Sequence, residues 1–155
     1  MNTIRLISTV LIKQDLVVQY IGFKSYLPIG SPDISVENLA RWNSDEILVL
    51  DIDKSKLELK PDYKLIQRIS QKKKSTPLIY GGGISTCKEA YNCIKFGVDR
   101  IIIGYHFWKN MNYGFLRDVS KKLGSQAIIL SLPILKYKNS IFIYNFVNKN
   151  KIPFK

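Results

Sequence analysis

The chain has 155 residues, 46% of them hydrophobic, enough for one domain with a real core and far from the biases of a disordered or collagen-like sequence. Its formal net charge of +12 is compatible with nucleic acid, an acidic partner or an anionic substrate, but the lysines are spread along 54–74 and 136–155 without a basic stripe interleaved with exposed aromatics, so nucleic-acid binding is not expected. The apolar runs are strand-sized and broken by charge, and the N-terminus lacks a secretory pattern, so no membrane span and a cytoplasmic location are expected.

A β-rich run from Ile4 to Ile12 opens the chain. Ser35 to Trp42 reads as a short helix with Asp33 as its cap, and Glu46 to Ile52 as a strand that runs into Asp51 and Asp53. Pro61 to Lys73 places Leu65, Ile66 and Ile69 on one helical face, with Pro61 suited to a helix start and Lys72-Lys73-Lys74 at the end, where cations complement the macrodipole. Next come a strand at Pro77 to Tyr80, three glycines, and a helix from Ser85, as cap, to Phe96. Cys87 and Cys93 lie too far apart along that helix for an easy disulfide, and no histidine cluster accompanies them, so two reduced thiols and no metal are expected. A strand at Arg100 to Ile103, a helix at Tyr113 to Leu123 stopped by Gly124, and a strand at Ala127 to Leu132 complete the series.

The order β-α-β-α-β-α-β-α-β, with near-continuous Val, Ile and Leu in the strands, predicts an α/β fold with a parallel sheet covered by helices. After Leu132, Ile134 to Tyr137 and Ile141 to Val147 flank a Lys138-Asn139-Ser140 turn and read as a β-hairpin before a basic tail. This divides the chain into 1–133, the βα units, and 134–155, the hairpin and tail. Five parallel strands cannot close an eight-stranded cylinder, so the fold is either an open α/β domain or a partial (β/α)₈ barrel.

Leu78 to Ser85, an apolar strand that breaks into Gly81-Gly82-Gly83 before a helix, carries the clearest chemical signal. Without Cβ atoms the backbone can approach a ligand closely, and amides at a helix start point toward an anion, which suits a phosphorylated small molecule; a plain flexible turn is the alternative. Asp51 and Asp53, just after a strand, are weak catalytic candidates, with turn stabilisation the plainer role. His106 reads as a loop residue on the presumed active face, and Trp42 and Trp108 as helix-packing or interface aromatics. No cofactor is implied.

Arg5-Leu6-Ile7, Asp45 to Ile52, Pro77 to Ile84, Phe96 to Arg100 and Gly124-Ser125-Gln126, in this order and spacing over about the first 135 residues, resemble the cyclase subunit of imidazole glycerol phosphate synthase. The resemblance implies the N-terminal half of a (β/α)₈ barrel that takes ammonia from a glutaminase partner and joins it to a phosphorylated substrate in histidine biosynthesis. It places the phosphate grip on Gly83 within Gly81, Gly82 and Gly83, completed at Gly104 and Tyr105 where the family has Asn-Thr. It also places a charged ammonia entrance at Arg5, Glu46 and Arg100, with Asp99 facing the glutaminase. The family's two catalytic aspartates fall on Leu11 and Pro133, and neither can move a proton. An assisting lysine falls on Gln19, with Lys13 and Lys24 nearby.

Loss of the first aspartate is similar to the glycosyl amidation-associated paralogues of O-antigen clusters, in which the barrel conducts ammonia toward amidation of a nucleotide-linked sugar. The readings are therefore a shortened enzyme subunit of that type, a non-catalytic half-barrel binding module, and a gene fragment. A half-barrel leaves sheet edges and an apolar inner face open, so a homodimer or a complementing second half-barrel chain is expected.

Overall fold

In the computed structural model, which describes residues 4–21, 25–146 and 148–153, β1 (Ile7–Lys13) turns at Gln14 and Asp15 into β2 (Leu16–Ile21), followed by β3 (Ser25–Gly30). Next in the chain are α1 (Pro32–Arg41), β4 (Glu46–Asp51), the short α2 (Ile52–Lys56), α3 (Tyr63–Ser70), β5 (Leu78–Gly81) and α4 (Cys87–Lys95). Then follow β6 (Arg100–Ile103), α5 (Tyr105–Asn110), α6 (Tyr113–Leu123), a 3₁₀ turn at Ser125–Ala127, and β7 (Ile128–Leu130). The chain closes with β8 (Ile134–Tyr137), β9 (Ser140–Asn145) and β10 (Asn150–Pro153). Lys24 lies outside the described residues.

Strands β1, β4, β5, β6 and β7 are parallel neighbours in that order, and the antiparallel β2 and β3 extend the sheet beyond β1. The fold is α/β with a parallel sheet, as the pattern of apolar runs predicts, and fits the partial barrel that the resemblance implies. Alternation fixes its two faces. Val10, Ile12, Ile47, Val49, Leu78, Tyr80, Ile101 and Ile103 share one core with Val36, Leu65, Ile66, Ala90, Cys93 and Val119, so α1, α3, α4 and α6 cover the same face. Each fully buried aliphatic there contributes roughly 1.5–3 kcal/mol. On the other face, the register aligns Leu11, Leu50, Gly81, Ile102 and Ile129 in one row across five strands. Most of that face, including Leu48, is only half-buried, and Thr9 is exposed.

Several element bounds differ from the sequence reading. Helix α1 starts at Pro32 with Ser31 as N-cap, so Asp33 sits in the first turn and is not the cap. Helix α3 spans only Tyr63–Ser70, because the Asp62 side chain caps it by accepting from the Leu65 N–H, and Pro61 and the Lys72–Lys74 run fall outside it. The antiparallel β2 and β3 and the helices α2 and α5 are additional. The C-terminal hairpin is present and gains a third strand: β9 pairs with both β8 and β10. Ile143 of β9 is fully buried in the common core, while Phe146 stacks edge-on against Trp108 of α5. Trp108 thus packs between elements, whereas Trp42 is 74% exposed.

Candidate functional site

At the C-terminal ends of β5 and β6 the chain leaves a cavity of about 350 Å³. Gly82, Gly83, Gly104 and Tyr105 line it together with Lys54, Lys60, His106 and Lys109; Gly81 lies one step lower in the strand. The glycines are dictated by packing as much as by any ligand. At Gly83, φ is +71° and a Cβ would lie 2.1 Å from the Leu59 carbonyl; at Gly82 it would lie 2.6 Å from the Asp51 carbonyl. The segment after β4 is therefore seated directly on the glycine turn, which brings Lys54 and Lys60 to the cavity wall.

The helix after the glycines begins at Cys87, not Ser85. Thr86 is its N-cap, and a capping box closes on Glu89. One Glu89 carboxylate oxygen accepts from the Ser85 N–H at 2.9 Å, the Ser85 hydroxyl at 2.8 Å and the Thr86 N–H at 3.0 Å. Burial pushes the Glu89 carboxyl up, but these hydrogen bonds outweigh it and hold it below the usual carboxylate range. An internal carboxylate thus already occupies the anion position at this helix start.

Neither Asp51 nor Asp53 lines the cavity. Asp51 is buried on the helix-covered side, where loss of solvation pushes its carboxyl up to about 6 despite the nearby Lys54 charge. Asp53 accepts from the Gln14 N–H at 3.2 Å and so fastens the β1–β2 turn. Leu11 occupies the top of β1 on the half-open face, Pro133 follows β7, and Gln19 is exposed on β2. Lys13 lies 3.8 Å from the centre of the Tyr26 ring. His106 belongs to α5, not to a loop, and its ring meets Phe115 edge-on at 5.1 Å.

A second group gathers at the opposite end of the sheet. Glu46, 4% exposed, pairs with Arg5 at 3.2 Å through one oxygen and with Arg100 through the other. Asp99 accepts from the Leu78 N–H at 2.8 Å and pairs with Lys73. Arg5, Glu46, Asp99 and Arg100 all line a cavity of about 520 Å³. A buried carboxylate held between two guanidiniums makes a compact charged cluster at the N-terminal ends of the strands, in which removal of one partner would leave a costly unpaired charge.

The Histidine biosynthesis protein family matches residues 5–153. The chain belongs to that family. The match extends into the C-terminal sheet, beyond the roughly 135 residues over which the motifs are recognisable. Among the family's curated members, the chain is 35% identical over 146 residues to the "Putative imidazole glycerol phosphate synthase subunit hisF2" of Vibrio vulnificus, covering 94% of this chain and 53% of that protein. It is 32% identical to a second Vibrio vulnificus protein, "hisF3" of the same description (85% and 50% covered), and 31% identical to the Leptospira interrogans "HisF" (96% and 59% covered). The chain thus spans about half the length of the curated relatives it matches.

Cys87 and Cys93 are free, and burial pushes the Cys93 thiol up to about 12. Among the described residues, no helix is long and apolar enough to cross a membrane, and no group of three or more His, Cys, Asp or Glu side chains could hold a metal ion. Ser55, Glu58, Lys60, Glu89 and Lys109 join the cavity unannounced by the sequence motifs. For Lys60 and Lys109 the only signal is an excess of lysine, and no local spacing brings Lys109 to Glu58, 51 positions earlier.

Proposed function

We propose that this chain is a cytoplasmic half-barrel subunit, derived from the imidazole glycerol phosphate synthase cyclase, that works with a glutaminase and conducts ammonia without acid–base chemistry of its own. The observation that carries this reading is the contrast between the two ends of the sheet. At one end Arg5 and Arg100 form a charged cluster around the buried Glu46 carboxylate. At the other, Leu11 and Pro133 stand where the resemblance places the two catalytic aspartates. The ammonia would serve amidation of a nucleotide-linked sugar in surface polysaccharide synthesis. The glycine cavity would hold the phosphate of a small molecule at the delivery end, with Asp99 contributing to the glutaminase contact. Lysines on the wall and Gly82 and Gly83 in the lining support that assignment. The half-buried inner face also favours a companion chain, either a second copy or a complementary half-barrel.

The test is co-expression with candidate glutaminase subunits, followed by measurement of complex mass and glutamine hydrolysis. A stable complex that hydrolyses glutamine at least tenfold faster than the glutaminase alone, with the gain lost in Glu46→Ala, is the expected outcome. Cyclisation of the histidine-pathway substrate by the unmodified chain would refute the loss of chemistry, and absence of any complex would refute the conduit.

A further inference from the structure

Several donors of the glycine cavity are already engaged by the chain itself. The Gly83 N–H donates to the Ser55 hydroxyl at 3.4 Å, and Lys54 pairs with Asp62 at 3.6 Å. Ser85 and Thr86 donate to Glu89. Most telling is Glu58, an exposed residue held at φ +53°, a left-handed conformation unusual outside glycine and asparagine. Its carboxylate reaches across the cavity mouth to accept from Lys109 and from the Tyr105 hydroxyl at 3.3 Å, 51 and 47 residues away. Of the three wall lysines, only Lys60 has no acidic partner among the described residues. Hydrogen bonds from Lys109 and Tyr105 hold the Glu58 carboxyl below its ordinary range, so it remains charged throughout neutral pH.

We infer that Glu58 is an internal competitor that determines which anions this cavity takes, admitting dianionic phosphomonoesters and turning away monoanions such as phosphodiesters and carboxylates. The inference rests on the phosphate reading of the cavity and refines it. An incoming anion can gain Lys109 and the Tyr105 hydroxyl only by displacing a carboxylate that makes the same kinds of contact. A monoanion exchanges one such charge for another with no electrostatic gain. A phosphomonoester at pH 8 carries close to two negative charges and three acceptor oxygens, so it can satisfy Lys109, Tyr105 and the unpaired Lys60 at once. Because Leu59 and Lys60 rest on Gly83, movement of Glu58 is coupled to the segment that covers the glycine turn.

Calorimetric titration of the chain at pH 8 with methyl phosphate, a dianion, and dimethyl phosphate, a monoanion, tests this directly. Wild type is expected to bind methyl phosphate and not dimethyl phosphate. Glu58→Gln, a conservative change at an exposed position, is expected to bind methyl phosphate about tenfold more tightly and to acquire dimethyl phosphate binding. Lys109→Met placed in the Glu58→Gln chain should abolish both gains. Equal methyl phosphate affinity in wild type and Glu58→Gln would overturn the competitor role while leaving the phosphate site standing. A gain that survives Lys109→Met would reduce it to a general charge effect and also overturn it. If neither chain binds methyl phosphate, the phosphate reading fails, and the inference with it.

Discussion

Asp51 shows how a single side chain can sit at the end of a barrel strand and face the helix-covered core rather than the cavity. Its alternation with Ile47 and Val49 places it on the helix-covered side, packed against the Gly82 turn. Burial raises its pKa from 3.8 to about 6. Below pH 4 the residue is neutral whether the chain is folded or unfolded. Between pH 4 and 6 the unfolded chain releases this proton and the folded chain retains it, so stability declines as pH rises through that window and levels off above it. A shift of this size corresponds to about 3 kcal/mol. Asp51→Asn is therefore expected to be more stable than wild type by about 1–3 kcal/mol at pH 7.5, with the difference vanishing near pH 4. Urea melts of both chains across pH 4–8 measure this, and a difference independent of pH would show that desolvation of Asp51 does not control it.

Among the elements, those readable from sequence are those with long, single-period signals. Strands β1, β4, β5, β6 and β7 are near-continuous in Ile, Leu and Val because helices cover one face and the other is apolar too. The β2–β3 ribbon escapes for two local reasons. Its first turn places both Gln14 and Asp15 at positive φ, a conformation usually announced by Asn-Gly, and Pro28 interrupts β3, which tolerates it as an edge strand. Helix α5 has six residues, too few to display a period, and ends at Met111 in the left-handed region where glycine is the usual signal. The glycine turn of the candidate site was legible because its requirement is local; the Glu58–Lys109 contact was not, because it depends on how two loops meet. The C-terminal sheet can be tested as an element. Ile143 is buried with Phe107 and Trp108 in the main core, so Ile143→Ala is expected to destabilise the chain by about 2–4 kcal/mol. Thermal unfolding should remain one transition, shifted to lower temperature. A separate early transition for β8–β10, with the main one unchanged, would instead mark residues 134–155 as an independent unit.

For the whole molecule, the half-covered sheet poses the main physical problem. The row from Leu11 through Leu50 and Ile102 to Ile129 runs unbroken across five strands, and Leu48 lies just below it. Such surface costs roughly 25 cal/mol per Å² to leave in water. Strand β2 meets β1 only at Ile12 and Lys13, so β1 from Ile7 to Leu11 and the outer side of β7 offer unpaired backbone groups among the described residues. Backbone edges and an apolar face on one sheet favour one event, the docking of another chain whose strands continue the sheet. A second copy satisfies both needs at once, because closed two-fold association presents the same face and edges to each other. Light scattering of the purified chain is expected to give twice its 17.9 kDa at micromolar concentration. Leu48→Lys, which places a charge in the middle of that face without disturbing the helix-covered core, should yield a monomer with unchanged far-ultraviolet circular dichroism. A wild-type monomer that remains soluble and binds no complementary half-barrel would mean that the inner face tolerates water, and the companion-chain expectation would fall while the glutaminase contact at the Glu46 end could still hold.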